Sequence, residues 1–271
     1  MPGRLSICAI IAVRNEADYL KILLPRLAAQ DIEVIIIDNE STDASSEIYD
    51  DFLCNPIIRI ISLPYRNFFS LTDQMECKNQ LMDRLPHDWI IHHDADEIME
   101  NRDNSYTLRQ TIEEADDQGF NCLNFDEFVF VPEPGSNYEG RDYYAHMHRY
   151  YFFSPESNRL HRAFRRDLER FPNNYNGHRI AAKDLRLFPV NHTLRHYILL
   201  SDEHARRKYL GRRFDPIDLE KGWHGNRLSF SEENLLFPSL KATGLFRSNG
   251  YAVRELCRDA PQSTHFWEWD K

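Results

Sequence analysis

Glycine is scarce in this chain of 271 residues, with 10 in all and none between Gly3 and Gly119. That gap excludes a glycine-rich phosphate loop in the first part of the chain, of either the dinucleotide or the Walker type. Cysteine is scarcer still: Cys8, Cys54, Cys77, Cys122 and Cys257 are scattered and form no CxxC pair. Neither a zinc ribbon nor a disulfide framework is supported, and the spacing predicts a reduced, cytoplasmic protein with mostly buried thiols. Long apolar runs are missing too. Ile7 to Val13 is followed at once by Arg14, Asn15 and Glu16, too short for a bilayer, which needs about 20 apolar residues, and without a signal-peptide cleavage pattern. No transmembrane segment is expected, although peripheral membrane contact stays open. Positive charge is outweighed: Lys+Arg 33 against Asp+Glu 43 gives a formal net charge of −10, which argues against a protein that grips nucleic acid by net charge.

What is present is a core-forming composition, 42% hydrophobic and 28% charged, arranged in an alternating pattern. Leu5–Val13 reads as a strand buried on both faces, Glu16–Ala29 as a helix with Leu20, Leu23, Leu24 and Leu27 on one side, and Glu33–Ile37 as a second buried strand. Ala44–Phe52 then reads as a helix, Ile57–Ser62 as a strand, Leu71–Leu85 as a helix and Asp88–His93 as a fourth strand. This order predicts an α/β fold with a mostly parallel central sheet and helices on both faces. The second half is less regular. Asn121–Val131, Tyr143–Phe153 and Leu160–Phe164 read as strands, and Ser201–Leu210 as a helix capped by Ser201. We expect one catalytic domain in two halves, residues 1–120 and residues 121–271, the latter including an α+β C-terminal extension.

Polar residues gather where these strands end. The first ends in Arg14-Asn15-Glu16, the second in Asp38-Asn39-Glu40-Ser41-Thr42-Asp43, the fourth in His92-His93-Asp94-Ala95-Asp96-Glu97. Ligands bind beyond the carboxyl ends of strands in open parallel sheets, so these loops would share one rim. Asp94 and Asp96 form a DxD pair, which suits a hard cation that also binds phosphate oxygens. An isolated DxD is a weak signal, since acidic pairs often sit in solvated loops; its place at a strand end, next to Glu97, strengthens it. His92 and His93 alternate faces, so at least one packs away from any site.

Three passages in this order resemble family-2 glycosyltransferases of the GT-A fold: Ala9 to Glu16, Val34 to Asp43 and Asp88 to Glu97. Gln74-Met75-Glu76-Cys77-Lys78-Asn79 resembles the family's segment before its DxD strand, and Asn39 stands where many relatives have Gly or Asp. The resemblance implies a nucleotide-diphospho-sugar transferase with Mn²⁺ or Mg²⁺ as cofactor, moving a sugar with inversion from a donor, UDP-linked by family habit with GDP and dTDP open, to a carbohydrate or other hydroxyl acceptor, in a setting such as surface polysaccharide synthesis. It implies that Val13, Asn15, Glu16, Asp38, Asn79 and Asp94 bind the nucleotide, that Asp94 and Asp96 meet the metal, and that Glu97 orients the pair. It also implies a returning histidine, for which we take His196 over His192. Arg195 and Lys208 are candidates for the diphosphate, the turn Asn176-Gly177-His178-Arg179 for the acceptor, and Asp126 or Glu127 for the general base. Each has a plainer alternative: a helix start for Asn15 and Glu16, a strand-end turn for Asp38, a solvated face for Lys208, a half-wet β-edge for Asp126 and Glu127. Two rival functions remain at this level. One is a metal-dependent phosphohydrolase using His92, His93, Asp94 and Asp96. The other is a non-catalytic sugar- or nucleotide-binding module whose tyrosines and phenylalanines between Tyr138 and Phe153 stack on sugars.

Overall fold

The computed structural model describes residues 4–171, 177–228, 230–233, 237–239, 244–248 and 256–269. The alternating first half is present. Strands β1 (Ile7–Val13), β2 (Glu33–Asp38), β3 (Ile57–Ser62) and β4 (Trp89–Asp94) are linked by helices α1 (Ala17–Ala28), α2 (Ser45–Phe52) and α3 (Leu71–Met82). They lie in the order β4-β1-β2-β3, all parallel. The buried runs of β1 and β2 serve both faces. Ala9, Ile11 and Val13 pack with Leu20, Leu24 and Ile48 of α1 and α2, while Cys8 and Ile10 pack with Met75 and Met82 of α3.

The chain then adds β5 (Glu97–Glu100), α4 (Leu108–Asp117), β6 (Cys122–Phe130), α5 (Tyr143–His146), β7 (Arg149–Phe153), β8 (His161–Arg165), β9 (His192–His196), α6 (Asp202–Tyr209), α7 (Pro216–Glu220) and β10 (Phe246–Arg247). β8 runs antiparallel to β4 and carries the sheet outward through β6, β7 and β10. β9 lies parallel to β6 and antiparallel to β5, so the acidic turn after β4 is tied to the second half of the chain.

Several expectations change. The aromatic run from Tyr143 is not one strand: Asp142 caps a single helical turn through Ala145 N, and the strand begins at Arg149. β6 is flanked by β7, β8 and β9, so Asp126 and Glu127 do not stand on an edge. Helix α4 was not anticipated, although Thr107 and Gln110 form a capping box at its start. The thiols are less uniformly buried than expected: Cys8 and Cys122 are buried, Cys77 and Cys257 half-buried and Cys54 exposed. Among the described residues no helix is long and apolar enough to cross a membrane.

Candidate functional site

The strand ends meet on one rim as parallel pairing requires. Val13 of β1 is level with Asp38 of β2, and Ala12 with Asp94 of β4; Asp38 and Asp94 are therefore two strands apart, about 10 Å. Next to this rim opens a cavity of about 590 Å³. The first half of the chain contributes Ala12, Glu16, Lys78, Asp94, Asp96 and Glu97, and the second contributes Glu127, Arg159, Arg162, His196, Lys208 and Arg212.

The acidic turn is held from both sides. Lys78, 2% exposed on α3, donates to the His93 carbonyl at 3.0 Å and to Asp94 Oδ1 at 3.3 Å. Arg162 on β8 reaches Asp94 Oδ2 at 3.1 Å and Glu97 Oε1 at 2.5 Å. Desolvation pushes the Asp94 carboxyl up, but Lys78 and Arg162 outweigh it and hold the group well below the usual range. Asp96 shows the same contest. Burial raises it, and Lys208, donating to Oδ2 at 2.9 Å, together with His196 brings it below its ordinary value. Where burial dominates, the carboxyl goes up: Glu97 to about 7 despite Arg162, and Glu16 to about 7 despite Lys208. The Asp96 backbone is fixed as well, its carbonyl accepting Tyr197 N at 2.8 Å.

His196 and Asp96 form the pair best suited to a cation. Imidazole Nδ1 lies 2.5 Å from Glu127 Oε1, and a carboxylate only accepts, so Nδ1 donates there and Nε2 faces Asp96 Oδ1, 3.6 Å away. A metal-ligating histidine ordinarily has its far nitrogen fixed by a carboxylate or carbonyl, the arrangement that Glu127 gives His196. Among the described residues no group of three or more His, Cys, Asp or Glu side chains is arranged to hold a metal unaided. The donor set fits a cation such as Mg²⁺, which keeps places for phosphate oxygens and water.

Other candidates stand elsewhere. Val13 is 1% exposed and packs in the core; strand alternation puts Ala12 at the cavity instead. Asn15, at φ 59°, accepts from Thr42 N at 2.7 Å and ties two loops together. Asp38 accepts from Ser41 N at 3.1 Å and Tyr49 Oη at 2.8 Å, so its carboxylate is turned into its own loop. Asn79 lies off the α3 face that carries Leu71, Gln74, Met75 and Lys78 to the cavity. Arg195 is buried on the far side, its Nε 2.6 Å from Glu100 Oε2. Asp126 is bound to Asn191 at 3.0 Å and Arg258 at 2.7 Å, away from the cavity that Glu127 lines. His192 is stacked on Phe188 and lies beside the tilted ring of Phe125. In the turn considered for the acceptor, Gly177 and His178 line the cavity, while Asn176 lies outside the described residues. His92 faces the cavity and His93 does not. Lys78 was missed although helical phase against Met75 and Met82 could have found it. Arg162 had no signal, because the short strand His161–Arg165 mixes basic and apolar residues on both of its faces.

The chain aligns with solved structures at low identity. Residues 1–349 of TarS from S. aureus align with a TM-score of 0.45 at 15% identity, over 85% of this chain and 74% of that one. The same fragment in complex with UDP-GlcNAc gives 0.42 at 13%, over 85% and 74%. The longer TarS structure gives 0.41 at 12%, and this chain spans 45% of its length. No curated protein matches the sequence. The family profile described as Glycosyl transferase family 2 matches residues 8–172, more than half of the chain, and the chain belongs to that family.

Proposed function

We propose that this glycosyltransferase is metal-dependent and moves a sugar from a UDP-linked donor to an acceptor hydroxyl with inversion, in the cytoplasm and in service of surface polysaccharide. The observation that carries the reading is the convergence of Asp94, Asp96 and Glu97 with His196 and Lys208 on one cavity. Residues 1–120 supply the nucleotide side, and residues 121–271 supply the acceptor side and add His196, Lys208 and Arg212 to the phosphate region. The rim loops at Asn15 and Asp38, each braced by its own hydrogen bonds, would frame the nucleotide.

Asp96 and His196 would hold Mn²⁺ or Mg²⁺, which offsets charge as it grows on the leaving diphosphate. Glu127, against Nδ1, would hold the imidazole with Nε2 toward Asp96. Lys208 and Arg212 border the same space and meet the phosphates from the protein side. Asp94, pinned by Lys78 and Arg162, keeps a 41% exposed carboxylate for the donor's hydroxyls. The acceptor oxygen attacks the anomeric carbon, the bond to the diphosphate breaks with its electron pair, and the acceptor proton passes to a base. Of the two carboxylates considered for that base only Glu127 faces the cavity, and its ties to Arg159 and His196 make it a holder of His196.

The test is a panel of nucleotide sugars with Mn²⁺ or Mg²⁺, read as nucleotide release. UDP-sugars should be turned over, and Asp96→Ala should lower the rate by about 100-fold or more at unchanged circular dichroism. Release that ignores both the metal and the substitution would end this reading.

A further inference from the structure

Behind the acidic turn lies a second cavity, of about 630 Å³. Strands β4 and β5 are the partition. On β4 His92 and Asp94 line the first cavity and His93 the second, the alternation a strand imposes; from β5, Glu97 lines the first and Ile98, Met99 and Glu100 line the second. Its apolar surface comes from Leu23 and Leu27 on α1 and Leu108 on α4. Its volume is that of a small-molecule site, roughly 300–1,000 Å³, and the glycosyl transfer described above uses none of these residues.

Two polar groups point to what would bind. His93 is 1% exposed, and its Nδ1 lies 2.8 Å from the Asp94 carbonyl oxygen. A carbonyl only accepts, so Nδ1 donates and the neutral ring carries a lone pair on Nε2, which has no hydrogen-bond partner among the described residues. Arg26, in the last turn of α1, lies with its guanidinium 3.6 Å from the centre of the Tyr144 ring. Among the described residues it has no carboxylate partner. Glu100 on the same wall is taken by Arg195 Nε at 2.6 Å and by the Tyr144 hydroxyl, and Asp142 by Ala145 N at 3.0 Å. The wall therefore offers one cation without an anion and one buried acceptor without a donor.

We propose that this cavity is a second ligand site, for a small anionic amphiphile. Its apolar or aromatic body lies on Leu23, Leu27 and Leu108, its anionic group meets Arg26, and a hydroxyl or N–H donates to His93 Nε2. The site is separate from the nucleotide's, and through the His93–Asp94 bond its occupancy bears on the acidic turn. Any effect is reciprocal, since linkage between two binding sites is symmetric.

The experiment is calorimetry and ligand-observed NMR on the full chain with para-hydroxyphenylacetate. Two controls each lack one feature: para-methoxyphenylacetate lacks the donor and para-hydroxyphenylacetamide lacks the anion. Para-hydroxyphenylacetate should bind, each control about 10-fold more weakly, and saturating UDP should leave it in place. Arg26→Gln should weaken it by about 10-fold, and Leu27→Trp, which fills the cavity, should abolish it. No binding by the probe, displacement by UDP, or binding untouched by both substitutions overturns the proposal. Because the readout is binding, it stands or falls apart from sugar transfer.

Discussion

A histidine in a strand serves a ligand or the core according to where along the strand it sits, and β9 holds both cases. His192 and His196 are four residues apart on one face, yet His196 reaches the cavity while His192 is 2% exposed beside phenylalanines with no hydrogen-bond partner for either nitrogen. Burial pushes the His192 imidazole down from its ordinary value to about 4. The unfolded chain then takes the proton first, so stability is lost as pH falls from about 6.5 toward 4, by up to roughly 3 kcal/mol. His192→Leu removes that loss: urea midpoints at pH 7 and pH 5 should differ less in the variant than in the wild type. Parallel shifts in the two proteins would refute the assignment. At the cavity, Lys208→Met should slow sugar transfer by about 10-fold or more, since a charge-assisted contact is lost, and leave circular dichroism unchanged. Residue types were legible where strand ends announced them, as with Asp94, Asp96 and Glu97. Direction was not legible: Asn79 and Lys78 are neighbours in sequence, and only the buried face of α3 separates them.

Helix α3 shows how an element from one part of the chain is positioned by another. Its first turn is capped twice. Ser70 accepts from Asp73 N at 3.1 Å, and Asp218 of α7 accepts from Leu71 N at 2.6 Å, Thr72 N at 3.1 Å and Thr72 Oγ1 at 2.6 Å. Asp218 is fully buried, so removing its carboxylate strands those donors. Asp218→Ala should cost about 2–4 kcal/mol in urea unfolding, and Ser70→Ala nearer 1 kcal/mol. Because α3 delivers Lys78 to Asp94, Asp218→Ala should also weaken nucleotide binding at temperatures where the variant is still folded. A helix that tolerated Asp218→Ala without either change would show the clamp to be ornamental. The long periodic elements α1, α3 and β1 to β4 could be placed from the sequence because each carries its own pattern. Short β5 and β9 could not, because their strand geometry comes from pairing with each other across about a hundred residues. The clamp from α7 is hidden for the same reason, since an aspartate after a helix start reads as an ordinary cap.

Across the whole molecule the net charge is −10, but the cavity gathers Lys78, Arg159, Arg162, Lys208 and Arg212 around its carboxylates. Three of these carboxylates meet cations from distant strands or helices: Asp94 meets Lys78 and Arg162, Asp96 meets Lys208, and Glu127 meets Arg159. Because most of these cations are already engaged by carboxylates, a diphosphate would gain from an extra cation arriving with it. On the proposed function Asp96 and His196 would seat that cation, and Lys208 would be free to meet the phosphates. Ligands that bind only the folded state raise its stability, by about 2.7 kcal/mol at a hundred times their dissociation constant. The thermal midpoint should therefore rise more with UDP and Mn²⁺ together than with UDP alone, and chelation should reverse the difference. In Asp96→Ala the increment from the metal should vanish while part of the increment from UDP survives, because Lys78, Arg162 and Arg212 remain in place. A midpoint that rises equally with and without Mn²⁺, or keeps the metal increment in Asp96→Ala, would remove the cation from Asp96 and leave fixed lysine and arginine side chains to balance the diphosphate.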